Sequence, residues 1–205
     1  MKKGVLTVVS GFSGAGKGTV MSLLLERYQN YALSVSATTR EPREGEIDGQ
    51  HYFFKTAKEF QEMIRNGEFL EYAKYVENDY GTPRAYVEKM LDEGRDVILE
   101  IELQGAMMVR QQFPDAVLIF ITPPSIDVLK KRLVGRGTES MEIIQARLDR
   151  AVEESKGIEN YDYILVNDRL DDCVTTLHGI IQGVHYRMSR NLSFVEEIQR
   201  EAKRI

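Results

Sequence analysis

Positions 5 to 19 read VLTVVSGFSGAGKGT, an apolar run that breaks into glycines and ends in Lys17-Gly18-Thr19. G-x-x-x-x-G-K between a strand and a helix is the pattern of a phosphate-binding loop. Gly11, Gly14 and Gly16, with Phe12, Ser13 and Ala15 between them, allow positive φ and a close backbone. Successive N–H groups can then point into one hollow. The helix that follows turns its positive end toward the same anion. Lys17 adds a full charge where the β- and γ-phosphates of a nucleotide would lie. One position departs from the pattern. Gly18 stands where Ser or Thr normally reaches magnesium, and the hydroxyl comes one residue later, at Thr19, to meet the ion directly or through water. A tight turn without a ligand needs neither the lysine nor three glycines, so the stretch reads as a nucleotide site.

Other charged residues fall where they could serve the same chemistry. The polar passage REPREGEIDGQHY at 40 to 52 carries Arg40, Arg43, Glu46 and Tyr52 after a Ser/Thr-rich run. Two arginine forks close together suit a bidentate grip on a second phosphate, against the plainer reading of a solvated loop. Glu100 and Glu102 close the run DVILEIELQG at 96 to 105. A spacing of two puts both carboxylates on one face of a strand, at the end where an acid assists magnesium. Arg132, Arg136, Arg147 and Arg150 cluster around the joint Gly135-Arg136-Gly137-Thr138. A hinged helical hairpin carrying arginines could form a lid over a polyphosphate, with an ordinary charged hairpin as the alternative. Glu71, alone in FLEYAKY, reads as a surface acid of a half-buried strand. Thr82-Pro83 reads as an N-cap and first-turn proline.

These residues require an alternating scaffold. Apolar runs at 5 to 9, 96 to 105, 116 to 124 and 162 to 168 read as buried strands, and helices are expected near 19 to 28, 125 to 134, 140 to 156 and 170 to 188. Thr56-Ala-Lys-Glu59 is a capping box that opens another, to about Asn66. The fold class is α/β: a parallel-sheet core over about 3 to 35, 95 to 134 and 157 to 190. Residues 36 to 94 and 135 to 156 read as insertions over the carboxyl edge, where such sheets bind ligands. The tail from 191 to 205 carries Phe194, Ile198, Ala202 and Ile205 at helical spacing, which predicts a packing face.

With 205 residues, 42% of them hydrophobic and 29% charged, a soluble single domain is expected. A net charge of -5 argues against a general nucleic-acid binder. The single cysteine, Cys173, excludes an intrachain disulfide or a cysteine-rich zinc site. No apolar stretch approaches the roughly 20 residues that span a membrane. A cytoplasmic location is the plain expectation.

From about Leu6 to Cys173 the chain resembles the guanylate kinases. The markers are GFSGAGKGT, SVSATTREPREGEIDGQHYFF, GEFLEYAKY, YGTPRAYV, ILEIELQG, FITPPS, KKRLVGRGTE and ILVND. The resemblance implies transfer of the ATP γ-phosphoryl to GMP, with magnesium, a GMP-binding insertion at 36 to 94 and a helical lid at 135 to 156. It implies that Ser36, Glu71 and Thr82 meet the guanine base. Arg40, Arg43, Tyr52 and Tyr80 would meet the GMP phosphate, with Glu46 in the same passage. Glu102 would lie in the GMP site and Glu100 near the reacting phosphoryl, both where the family motif has Asp. Residues 11 to 19 would hold ATP, Arg132, Arg136 and Arg147 would close from the lid, and Asn167 would lie near adenine. Lys17, Arg40, Arg136 and Arg147 would be the catalytic set. Expected partners are ATP, GMP and dGMP, with no nucleic acid or membrane, in a monomer or homodimer. Two rivals keep a place: a non-catalytic guanylate-kinase-like module that binds proteins, and a related kinase with a sugar-phosphate acceptor.

Overall fold

The computed structural model describes residues 3–75, 77–135 and 140–204. Its centre is a five-stranded parallel sheet in the order β2 (Tyr31–Leu33), β7 (Asp96–Glu100), β1 (Leu6–Gly11), β8 (Val117–Thr122), β9 (Tyr163–Val166). Neighbours in this order are distant in sequence, so the chain crosses over between them through helices. Alternation along β1 sends Leu6 and Val8 to one face, Val5 and Val9 to the other. The first face packs on α3 (Arg84–Asp92) and α4 (Leu103–Gln112), through Val87, Leu91, Ala106 and Val109. The second packs on α1 (Lys17–Arg27), α5 (Ile126–Gly135), α6 (Met141–Ser155) and α7 (Leu170–Val184). Both faces are covered, and that is why β8 reads as the unbroken apolar run VLIFI.

A second sheet, in the order β4 (Phe53–Phe54), β3 (Ala37–Thr38), β6 (Asn78–Pro83), β5 (Phe69–Tyr75), forms from the inserted residues 36 to 94. It has its own small core, in which Ala37, Phe60 and Phe69 are buried beneath α2 (Ala57–Arg65). The capping box that opens α2 is formed: Glu59 N–H donates to Thr56 Oγ1 and Thr56 N–H to Glu59 Oε2. In contrast, Thr82 is not the cap of α3. It stays in β6, directly opposite Glu71 of β5, and the helix begins after Pro83, at Arg84. Its hydroxyl is committed across the strands and cannot turn back to cap a helix. The expected strand at 96 to 105 also ends early, at Glu100; Glu102 is the N-cap residue of α4.

The tail forms α8 (Leu192–Ala202), but its apolar face stays open. Phe194 is 60% and Ile198 48% exposed, so the packing expected of them does not occur within the chain, and Ile205 lies outside the described residues. Among the described residues no helix is long and apolar enough to cross a membrane.

Candidate active site

The loop between β1 and α1 sits at the carboxyl end of the central strands, where β1 has neighbours on both sides. Gly14 and Gly16 take φ of 94° and 92°, values that only glycine adopts without strain. Gly11 serves a different need, since a Cβ there would lie 2.1 Å from the Ile121 carbonyl of β8. Phe12 is buried edge-on against Phe120, with ring centroids 5.0 Å apart, and anchors the start of the loop. Lys17 Nζ folds over the loop and donates to the carbonyls of Gly11 at 2.7 Å and Phe12 at 3.4 Å. Burial lowers its pKa, opposed by the nearby carboxylates of Glu100, Glu154 and Glu102. A half-buried cation held among acids at a glycine-rich loop is suited to a polyphosphate.

Two residues brace the loop from outside. Asn167, 6% exposed, donates from Nδ2 to the Ala15 carbonyl at 2.8 Å. Arg132 donates to the same carbonyl at 3.4 Å and to the Asn167 carbonyl at 2.8 Å. Both line a cleft of about 510 Å³ with Gly14, Gly16, Thr19, Asp168 and Leu170. From α6, Arg147 reaches the loop and donates to the Ser13 hydroxyl. Arg136 lies outside the described residues.

A larger cleft of about 750 Å³ joins the loop to the second sheet. It is lined by Ser10, Lys17, Ser36, Tyr52, Glu100, Glu102, Arg147 and Arg150 among others. Glu100 and Glu102 are both exposed to it. Glu102 takes an ion pair from Arg150 of α6, whose Nε also donates to Glu154 at 3.1 Å. One helix therefore touches the phosphate loop through Arg147 and the opposite wall through Arg150. The i,i+4 spacing of Arg150 and Glu154 was visible in the sequence, but a partner 48 residues away was not.

The arginine-rich passage is organised by an acid. Glu46 accepts from Arg40 Nη2 at 2.8 Å and from the Arg43 amide at 2.7 Å. The Arg40 guanidinium and the Arg43 amide hold the Glu46 carboxyl down at about 2. Arg40 also lies 5.3 Å from the Tyr52 ring centroid, and Tyr52 packs against Tyr80 at 6.0 Å. Arg40, Tyr52 and Tyr80 are thus brought together, with Glu46 orienting the guanidinium.

Glu71 is not a surface acid. It is 6% exposed and Thr82 fully buried, and Thr82 Oγ1 donates to Glu71 Oε1 at 2.6 Å. Burial pushes the Glu71 carboxyl up, against the pull of the Thr82 bonds. Its other oxygen lies over Gly105 of α4. A buried carboxylate with a single side-chain hydroxyl on it keeps acceptor capacity for N–H donors.

The comparisons agree with this geometry. A family model described as guanylate kinase matches residues 3–184. The guanylate kinase of Lactococcus lactis subsp. lactis is 52% identical over 189 residues, 92% of each chain. That of Caldanaerobacter subterraneus subsp. tengcongensis is 47% identical over 201 residues, 98% of each. The crystal structure of guanylate kinase from Anaplasma phagocytophilum superposes with a TM-score of 0.73 at 34% identity, covering 93% of this chain and 90% of that one. With a phosphate loop closed by Lys17, a buried Glu71 and relatives of this likeness over nearly its whole length, the chain belongs to the guanylate kinase family.

Proposed function

We propose that the protein transfers the γ-phosphoryl group of ATP to GMP, giving ADP and GDP. The observation that carries the reading is the buried Glu71–Thr82 pair, whose carboxylate lies within electrostatic reach of Glu102 on the cleft that also holds the phosphate loop. Guanine presents N1–H and N2–H side by side, and one carboxylate can accept both. Adenine offers a bare N1 lone pair at the same place, which would face Glu71 repulsively.

The two clefts suggest how the substrates lie. ATP would lie with its phosphates on residues 11 to 19 and its base toward Asn167, in the smaller cleft. GMP would enter the larger one, its base toward Ser36, Glu71 and Thr82, its phosphate toward Arg40, Arg43, Tyr52 and Tyr80. Residues 36 to 94 would then be the acceptor-binding part and 135 to 156 the lid. Phosphoryl transfer asks for alignment, excluded water and positive charge more than for covalent chemistry. Lys17 and Arg147 supply charge on the donor side, and Arg40 orients the attacking phosphate. α6 lines the larger cleft through Ala146, Arg147 and Arg150 and would help to exclude water. Loop N–H groups hold the phosphates without reorganising as charge shifts.

The donor set suits magnesium. Glu100 offers a hard oxygen on the larger cleft, where Glu102 is paired with Arg150, and Thr19 offers a hydroxyl on the smaller one, so magnesium would be held mainly by phosphate oxygens and water. When bound it would neutralise charge on the transferring group. dGMP is an expected second acceptor. The intact loop and Lys17 favour catalysis over a purely protein-binding role, and the Glu71–Thr82 pair favours a base-bearing acceptor over a sugar phosphate. The test is ADP formation with GMP, dGMP, IMP, AMP, CMP, UMP and a sugar phosphate, with and without magnesium. GMP should lead by orders of magnitude and require the metal. Equal turnover of AMP, or preference for a sugar phosphate, would overturn the reading.

A further inference from the structure

We infer that Gly105 is a specificity-determining residue, the floor that sets where the Glu71 carboxylate can stand. The inference deepens the acceptor reading above and rests on it. Gly105 is buried in the first turns of α4, where glycine is the poorest helix former after proline. Local preference does not explain it there, but the contact does. A Cβ at this position would lie 2.8 Å from Glu71 Oε2 and 3.3 Å from Glu71 Cδ and Cγ. The missing side chain is the space in which the carboxylate rests.

Neither partner can yield by moving as a whole. α4 is tied to β5 by Gln112 Nε2, which donates to the Leu70 carbonyl at 2.8 Å. Ala106 and Val109 hold the same helix in the core beneath the central sheet. Glu71 is fixed from the other side by the Thr82 hydroxyl at 2.6 Å and by strand pairing. The one element free to shift under an added methyl is the end of the Glu71 side chain. A side-chain shift costs the fold little, yet it changes where two hydrogen-bond acceptors sit. Recognition of paired N–H donors depends on those positions.

The experiment compares the wild type with Gly105→Ala, Glu71→Asp and the double variant, as full-length chains. The readouts are kcat and KM for GMP and IMP at saturating magnesium-ATP, KM for ATP, and thermal unfolding. Gly105→Ala should lower kcat/KM for GMP by about tenfold or more, mainly through KM, and shrink the GMP-to-IMP ratio. KM for ATP and the unfolding temperature should stay close to wild type. The shorter aspartate makes room for the methyl, so the double variant should regain selectivity over Gly105→Ala alone. If the single variant does not fold, the double carries the test alone. A double variant no more selective than Glu71→Asp would then overturn the inference. So would an alanine variant with an unchanged GMP-to-IMP ratio, or one that loses both acceptors equally along with its stability. A wild type inert toward GMP would overturn the functional reading and this inference together. A wild type active on GMP beside an unaffected alanine variant would overturn the inference alone.

Discussion

Glu71→Gln keeps the length and shape of the side chain, removes its charge and turns one acceptor oxygen into a donor. The Thr82 hydroxyl, 2.6 Å from Oε1, can still donate to the amide oxygen, so the strand pair should survive. Guanine would keep at most one acceptor where it had two. Hydrogen bonds to a charged group are worth roughly 1.5–3 kcal/mol each, and a neutral one returns roughly 1 kcal/mol. A net loss of about 2–5 kcal/mol lowers kcat/KM for GMP by about 30- to 5000-fold. IMP lacks the N2 amine and should lose less; AMP should gain relative to GMP. Stability should move the other way. Burial raises the folded-state pKa of Glu71, so its stabilising contribution is fully present below the ordinary carboxylate value of about 4.3 and is progressively lost as pH rises from there through the raised one. At neutral pH the glutamine variant without nucleotide should therefore unfold at a higher temperature than the wild type. That advantage should vanish in acid. For the same reason kcat/KM for GMP in the wild type should fall on acidification at a pH above the usual carboxylate range. The assays are unfolding temperature from pH 4 to 8 and kcat/KM for the three nucleotides with both proteins. A variant destabilised at neutral pH, with the three nucleotides reduced equally, would refute the reasoning.

Lys17→Ala should lower kcat by about 100- to 1000-fold, as removal of a preorganised donor does, while leaving the unfolding temperature within a few degrees. Steady-state kinetics beside a melting curve check both. Arg147→Ala should cost about 100-fold or more in kcat and far less in calorimetric affinity for GMP alone, because Arg147 contacts the phosphate loop at Ser13. Equal losses would place it at the acceptor instead. Asp96→Ala tests the end of the sheet away from the clefts. Asp96 is fully buried and accepts from Val5 N–H at 2.9 Å and Gln182 Nε2 at 3.1 Å, and pairs with His185 Nε2 at 2.8 Å. Stranding those groups should cost about 3–5 kcal/mol, roughly 10 °C of unfolding temperature, with kcat kept at low temperature.

What could be read from the sequence follows from the range of each signal. The phosphate loop is local, its residues adjacent, and its strand, turn and helix lie within two residues of expectation. The capping box of α2 is equally local and forms as read. Glu71 and Thr82 failed as local readings because their partner is each other, across a hairpin 11 residues apart. Threonine before proline is a good helix cap in isolation; opposite a buried carboxylate its hydroxyl has a stronger use. Glu102 shifted from strand to helix cap without leaving the cleft, since both positions lie at the same sheet edge. Gly105 left no sign of its role: it closed the run DVILEIELQG that reads as a strand, whereas it lies inside α4, and nothing local showed what approached it. The Asp96 network and the Arg150–Glu102 pair join positions 89 and 48 apart and left no pattern to find. On α8, helical spacing foretold the helix correctly and its burial wrongly, because periodicity reports an apolar face and not what covers it.

The central claim, direct transfer between two nucleotides held by one chain, is tested most directly by following the phosphorus. ATP labelled at the γ-phosphate is mixed with GMP, magnesium and an equimolar amount of protein, and the products are separated after a single turnover. The account predicts the label in GDP, at the rate at which ADP forms, with none on the protein. Label held on the protein, or released as inorganic phosphate while GMP remains, would contradict it.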